Sequence, residues 1–162
     1  MREELDKQLC EKYPLIFAQR NGDMSQTCMC WGFCCDDGWY NIIDAMCANI
    51  QGHIDNRLQS IDWTNKWNAQ IAEAQANDFE DWADWKSRDY RPVAEPIAQV
   101  VATQVKEKFG GLRFYFSGGD DYIDGVVALA ESMSYRTCEV CGAPGTSNSE
   151  GYIQTLCETH RR

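Results

Sequence analysis

The chain has 162 residues, 44% of them apolar, with six Trp and a formal net charge of −10. This is enough apolar mass for one ordinary domain, with or without a small appended module, and it excludes wholesale disorder. A chain this acidic is repelled by phosphate backbones, which excludes general nucleic-acid binding unless charge is strongly segregated; it suits a protein that docks on a basic surface.

No stretch approaches the ~20 apolar residues that cross a bilayer. The opening MREELDKQLCEKYP is charged and lacks the apolar run of a secretion signal. The expectation is a cytoplasmic protein whose nine cysteines stay reduced and serve as metal ligands and core residues rather than as a disulfide frame.

Arg2 to Tyr13 reads as a short amphipathic helix with Leu5 and Leu9 on one face, limited by Pro14. NGDMSQTCMCWGFCCDD (21–37) reads as irregular and cysteine-rich. Within it Cys28, Cys30 and Cys35 form a candidate second metal set. The competing reading is buried thiols packed around Trp31, Phe33 and Trp39, because free cysteine behaves as a small hydrophobe. Cys34 and Cys35, adjacent in an extended segment, would point to opposite sides and not share a site. Trp39 to Arg57 is predicted as a helix, with Ile42, Ile43, Met46, Cys47, Ile50 and Ile54 on a 3.6-residue period. His53 on this helix is the one histidine outside the C-terminal stretch.

From Leu58 to Pro92, Trp63, Trp67, Ile71, Ala74, Trp82 and Trp85 fall on helical spacing, and the expectation is one long helix or a helical hairpin. This is the most acidic region: Glu73 to Glu95 contains seven acids against three bases. Trp82, Trp85, Asp81 and Asp84 are therefore candidate binding residues for a basic protein surface. Pro92 and Pro96 close the segment.

Ile97 to Val105 is rich in β-branched residues, and LRFYFS (112–117) alternates Leu112, Phe114 and Phe116 with Arg113, Tyr115 and Ser117. With KEKFGG between them as a turn, the prediction is a β-hairpin; the rival is a helix running through Lys108 and capped by Gly110. Lys106, Lys108 and Arg113, near Phe109 and Tyr115, form the one basic-aromatic patch, where a nucleic acid could stack or which could simply be a solvated face. Asp120 to Ser134 is predicted as a further helix, capped by Asp120 or Asp121, with Ile123, Val126, Val127, Ala130 and Met133 as its buried stripe.

The closing stretch TCEVCGAPGTSNSEGYIQTLCETH (137–160) carries Cys138 and Cys141 as C-x2-C and Cys157 and His160 as C-x2-H, with fifteen residues between the pairs. Two intervening residues let one tight turn aim two side chains at a single point, and three thiols with one imidazole make a tetrahedral zinc set. Gly142 allows the bend of a zinc knuckle, GYIQTL can return as a strand, and Cys157 to His160 reads as a helix start. That order predicts a treble-clef-like finger. Four protein donors leave no open corner, so one structural Zn2+ is expected rather than a catalytic one. A His-Asn-His nuclease, which also uses such a scaffold, needs a catalytic histidine beside a metal-binding one, and only His53 remains for that.

CMCWGFCCDDGWYNIID (28–44), QVKEKFGGLRFYFSGGD (104–120) and TCEVCGAPG…GYIQTLCETH (137–160), in this order, resemble a family of small proteins encoded by tailed bacteriophages and prophages. The resemblance covers most of the chain apart from residues 59–95. It implies a phage accessory protein acting in the bacterial cytoplasm, and it implies no activity. The composite expectation is an α+β fold: a helical domain over residues 1–136, with a 59–95 acidic Trp-rich insertion, and a zinc finger over 137–162 docked on it. The expected role is non-enzymatic binding of a host or phage protein, as in inhibition of a bacterial defence system (anti-CRISPR-like or other). The alternative is a nucleic-acid-binding regulator using the 104–115 patch.

Overall fold

A computed structural model describes residues 1–77, 82–148 and 151–161. It is a mixed α+β protein with one long helix, a small sheet and a C-terminal Cys/His cluster. The chain divides into two compact units, Met1–Gly52 with Ala98–Arg162, and His53–Ile97.

In the first unit, helix α1 spans Glu3–Lys12. Glu3, Glu4 and Asp6 lie in its first turn and Lys12 in its last, each facing the helix pole of opposite sign. Leu9, Tyr13, Ile16 and Phe17 are buried. Asp6 is buried too, and it accepts from Arg20 Nε at 2.9 Å and from the Phe33 N–H at 3.4 Å, so this interior charge has both a counter-ion and a donor.

Phe33–Cys34 forms strand β1, which sequence period could not reveal in two residues. It pairs parallel with β2, Val101–Lys108, which pairs antiparallel with β3, Gly111–Ser117, giving the order β1-β2-β3. The predicted hairpin exists, but shifted: the strand begins at Val101, not Ile97, and KEK belongs to it rather than to the turn. Lys108 pairs with Gly111, so the loop is only Phe109-Gly110, with φ of 55° and 79°. Positive φ at both central residues is the tight turn whose twist matches a hairpin. Ala102, Val105, Leu112 and Phe114 are buried on one side of the sheet.

Helix α4, Asp121–Ser134, begins as predicted, with the Asp120 carboxylate accepting from the Ile123 N–H at 3.2 Å. It closes the edge of β3. The Leu112 N–H donates to Ser134 Oγ (2.8 Å) and the Phe114 N–H to Glu131 Oε1 (3.0 Å), so side chains stand where a fourth strand would. The buried stripe is Ile123, Val127 and Ala130; Val126 is half-buried and Met133 is 50% exposed, which corrects the predicted stripe at those two positions.

The helix expected to end at Arg57 starts at Tyr40 and runs to Ala76 as α2, contributing 40–52 to the first unit and 53–76 to the second. No Gly or Pro lies between Leu58 and Ala76 to stop it. It does not continue through the later tryptophans: α3 is a separate short helix, Ala83–Lys86, and residues 88–100 belong to no helix or strand.

The second unit is therefore a helix with a segment returning along it. Tyr90 Oη donates to Gln75 Oε1 (3.1 Å), Asn68 exchanges bonds with both backbone groups of Arg91 (2.8 Å each), and an Arg57 guanidinium N–H donates to the Glu95 carbonyl (3.0 Å). Few aliphatic residues hold it; Ile54, Ile71, Ala74 and Ile97 are buried. The rest is a ladder of rings and guanidinium groups. Trp63 stacks on Trp67 at 5.6 Å, and Trp67 meets Trp85 at 5.0 Å. Arg91 lies 4.6 Å and 4.0 Å from the Trp63 and Trp67 ring centres, and Arg88 lies 4.9 Å and 4.4 Å from those of Trp67 and Trp85. The planar guanidinium suits this slot because it presents a cationic face to each ring.

Candidate metal centre

The centre is assembled in three steps along the chain. A knuckle comes first: the Cys138 N–H donates to the Ala143 carbonyl (2.7 Å) and the Gly142 N–H donates back to the Cys138 carbonyl (2.8 Å), turning Cys138 and Cys141 to one side. A short hairpin follows, β4 (Thr146–Ser147) with β5 (Thr155–Leu156). Then a hydrogen-bonded turn sets His160 over Cys157, with the N–H groups of His160 and Arg161 both donating to the Cys157 carbonyl (3.1 and 2.9 Å). The expected helix start is, among the described residues, only this turn, and the expected strand over GYIQTL is limited to Thr155–Leu156.

The four predicted ligands converge. One ligand atom from each of Cys138, Cys141, Cys157 and His160 lies within 4.8 Å of all the others, and this is the one group of three or more such residues among the described ones that can hold a metal ion. His160 presents Nδ1, at 3.2 Å from Cys157 Sγ and 3.6 Å from Cys138 Sγ, and Cys141 Sγ is 3.7 Å from Cys157 Sγ. Cys138 is fully buried and Cys157 nearly so, while Cys141 faces solvent. Burial opposes the Cys157 thiolate, but the His160 N–H, the His160 ring and the neighbouring thiols outweigh it and bring its pKa down to about 6. Bonding to Cys157 and Cys138 raises the pKa of His160. Despite the Ala143 N–H, which favours its thiolate, Cys141 is held above the ordinary thiol value by the neighbouring Cys138 and Cys157. Three thiols this close share protons unless a cation sits among them.

The cluster is tied to the rest of the first unit by contacts that sequence reading missed. Gly38 N–H donates to the Glu139 carbonyl (2.7 Å), Trp39 Nε1 to the Thr137 carbonyl (2.9 Å), and Thr155 Oγ1 to the Gly110 carbonyl (2.6 Å). A Cβ on Gly38 would overlap the carbonyl oxygens of Cys138 and Glu139, so the DDGW turn admits only glycine there. Glu139 is buried; Oε1 accepts from the Asp36 N–H (3.1 Å), and Oε2 has no hydrogen-bond partner among the described residues. Burial, with the Asp36 charge, raises its pKa to about 7. A charged residue following a metal ligand carries no sequence signal for such burial.

The other predicted site residues do not gather. Cys28 is exposed, Cys30 is half-buried with its Sγ donating to the Thr27 carbonyl (3.1 Å), and Cys35 is buried, with burial pushing its thiol up to about 12. Among the described residues they are not part of the group whose ligand atoms converge. Cys34 is exposed beside buried Cys35, the opposite pointing expected of neighbours in a strand.

Asp81 lies outside the described residues. Trp85 packs into the arginine ladder, Asp84 pairs with Arg88 (2.7 Å), and Trp82 is half-buried at the start of α3. Lys106 and Arg113 are cross-strand partners, with Lys106 5.8 Å from the Tyr115 ring and Lys108 5.6 Å from the Phe109 ring. Arg113 is already engaged by the Leu112 carbonyl (2.6 Å), Tyr135 Oη (2.5 Å) and Glu131 (3.7 Å). Among the described residues no helix is long and apolar enough to cross a membrane. Compared with known proteins, the chain matches no family model, no curated protein and no solved structure.

Proposed function

We propose that the protein is a non-enzymatic, zinc-stabilised phage accessory protein that acts by binding a host or phage protein, a role suited to inhibiting a bacterial defence system. The observation that carries this reading is the donor set: Cys138, Cys141, Cys157 and His160 supply four ligand atoms within 4.8 Å. A tetrahedron with Zn–S of about 2.3 Å and Zn–N of about 2.0–2.1 Å has S–S edges of about 3.8 Å and S–N edges of about 3.6 Å. The 3.7 Å Cys141–Cys157 and 3.6 Å Cys138–His160 separations fit those edges, and the 3.2 Å Cys157–His160 separation is somewhat shorter. Three thiolates and one imidazole favour zinc over hard cations and saturate it, so no position is left to activate water. Knuckle, hairpin and ligand-bearing turn, in that order, support the reading of a treble-clef-like finger. The phage context comes from the resemblance of residues 28–44, 104–120 and 137–160, and the net charge of −10 suits a basic protein partner.

Elemental analysis and X-ray absorption of the purified protein test the metal half. One zinc per chain with three sulfur neighbours and one nitrogen is expected; an oxygen neighbour from water would overturn the structural reading. Phage plating on defence-bearing bacteria that express the chain tests the biological half: restored plating is expected, and unchanged plating across several defence types counts against it.

The alternative, a nucleic-acid-binding regulator, draws on Lys106 and Lys108 beside Tyr115 and Phe109. With Arg113 engaged internally, two lysines face a strongly acidic whole. Tight DNA or RNA binding that falls steeply with salt would favour it.

A further inference from the structure

Helix α4 has two apolar faces, and among the described residues only one is fully buried. Ile123, Val127 and Ala130 are buried. On the other face Tyr122, Val126, Leu129 and Met133 recur at spacings of four, three and four, the seam pattern of one helix packing along another. Tyr122 is 50%, Leu129 62% and Met133 50% exposed. This seam and residues 41–49 of α2 line an open groove of about 670 Å³, with Ile42, Met46 and Ala130 also in its wall. Gly125 and Ala45 keep it wide; no atom lies within 4 Å of where a Gly125 Cβ would stand. Single exposed apolar residues are ordinary, but a contiguous lined groove marks an interaction site.

The two helix stretches that line it contribute acids only. Residues 40–52 and α4 together carry Asp44, Asp121, Asp124 and Glu131 and no Lys or Arg. Asp44 is paired with Lys12 (2.7 Å) and Glu131 with Arg113 (3.7 Å) and the Phe114 N–H, so the acidity rests on Asp121 and Asp124, which are exposed, with Asp121 in the groove lining. An acidic occupant would be repelled and a basic one drawn in. The groove follows α4, whose 14 residues span about 21 Å.

We propose that this groove is the docking site for an amphipathic helix of a partner protein, about four turns long, whose apolar stripe fills the α2–α4 seam and whose flanking lysines and arginines meet the acidic helices. The proposal deepens the protein-binding reading above and depends on it. A second copy of this chain fits less well, because its own α4 would bring further aspartates to the same place.

Two fluorescently labelled synthetic helices with the same leucine stripe, one flanked by lysines and one by glutamates, are titrated with the full-length zinc-loaded protein. Saturable binding of the lysine helix is expected, with the glutamate helix weaker by about tenfold or more. Leu129→Lys and Gly125→Leu should each weaken the lysine helix by about tenfold or more, since one puts a charge on the seam and the other fills the groove. Both positions are exposed, and unchanged zinc content and melting confirm that the variants fold. Absence of binding, or binding that neither variant weakens, overturns the groove. So does a dimer in sedimentation velocity that Leu129→Lys dissolves, which would make this face a self-interface. Any of these results with saturated zinc coordination sinks the groove alone; a water-bound zinc sinks the broader reading.

Discussion

Among the described residues, the C-terminal stretch and the acidic segment each bury few aliphatic side chains, and they are held together in opposite ways. Residues 137–161 converge on four donor atoms, with only short strands around them. The segment from Trp82 to Glu95 leans on α2 through two guanidinium groups slotted among three indoles, plus a few backbone bonds. A metal centre is nearly all-or-none, because losing one ligand lowers affinity for the ion that holds the other three. A cation–π ladder is graded, each contact contributing about 0.5–2 kcal/mol. One region should therefore fail at a single residue and the other by degrees.

The largest expected effect is removal of the metal. Cys157→Ser, or a strong chelator, forfeits a binding free energy of apparent ~10–16 kcal/mol, comparable to the whole stability of a domain. Amide exchange across residues 137–161 should go from slow to fast, and the Gly38 and Gly110 attachments should go with it. Exchange that stays slow without metal would mean that packing holds the finger, and the contrast between the regions would disappear.

Next comes Trp67→Ala. It removes the ring that both arginines and both other indoles touch, at a cost of about 3–5 kcal/mol. Faster exchange over 53–76 is expected while zinc content stays at one per chain; loss of zinc would show that the two regions are not independent. Gly38→Ala should cost about 1–3 kcal/mol, because backbone atoms of Cys138 and Glu139 must move to admit the methyl group. A lower melting temperature with weaker zinc retention is expected, and no change would remove Gly38 from the finger's attachment.

Arg91→Ala should cost about 1–2 kcal/mol, with Arg91→Lys recovering only part, since an ammonium cannot stack between two rings. Full recovery by lysine would reduce the ladder to charge alone. The smallest effect has the opposite sign. Phe109 sits at a φ of 55°, where a bulky side chain is strained, and it is 65% exposed. Phe109→Asn should raise stability by about 1 kcal/mol in denaturant titration. A loss instead would mean that the exposed ring makes a stabilising contact.

Much of the candidate site could be read from the residues because its information is local. Each ligand pair has two residues between its members, so the spacing alone nearly forces both side chains to one point. The Asp120 cap and the helix behind it are local as well, and so is the alternation of Leu112, Phe114 and Phe116. The strand boundary differs from the expected one because Ile97–Val100 has strand composition but pairs with no strand among the described residues, whereas Lys106 and Lys108 pair despite their charge. The two-residue β1 is a product of its neighbour. Cys28, Cys30 and Cys35 show the limit of counting donors: they lie close in sequence, yet one is exposed, one half-buried and one buried.

The sequence by itself determined the four candidate metal ligands, the helical periods and the sign of the charge, because these depend on residue type and on spacings shorter than one turn of chain. Only the tertiary structure decided that DDGW must hold a glycine against the Cys138 knuckle, that arginines rather than aliphatics fill the tryptophan slots, and that α4 keeps a second apolar face open. Each of these depends on which distant backbone arrives at a given surface, and a side chain's burial is set by what packs on it rather than by its own hydrophobicity.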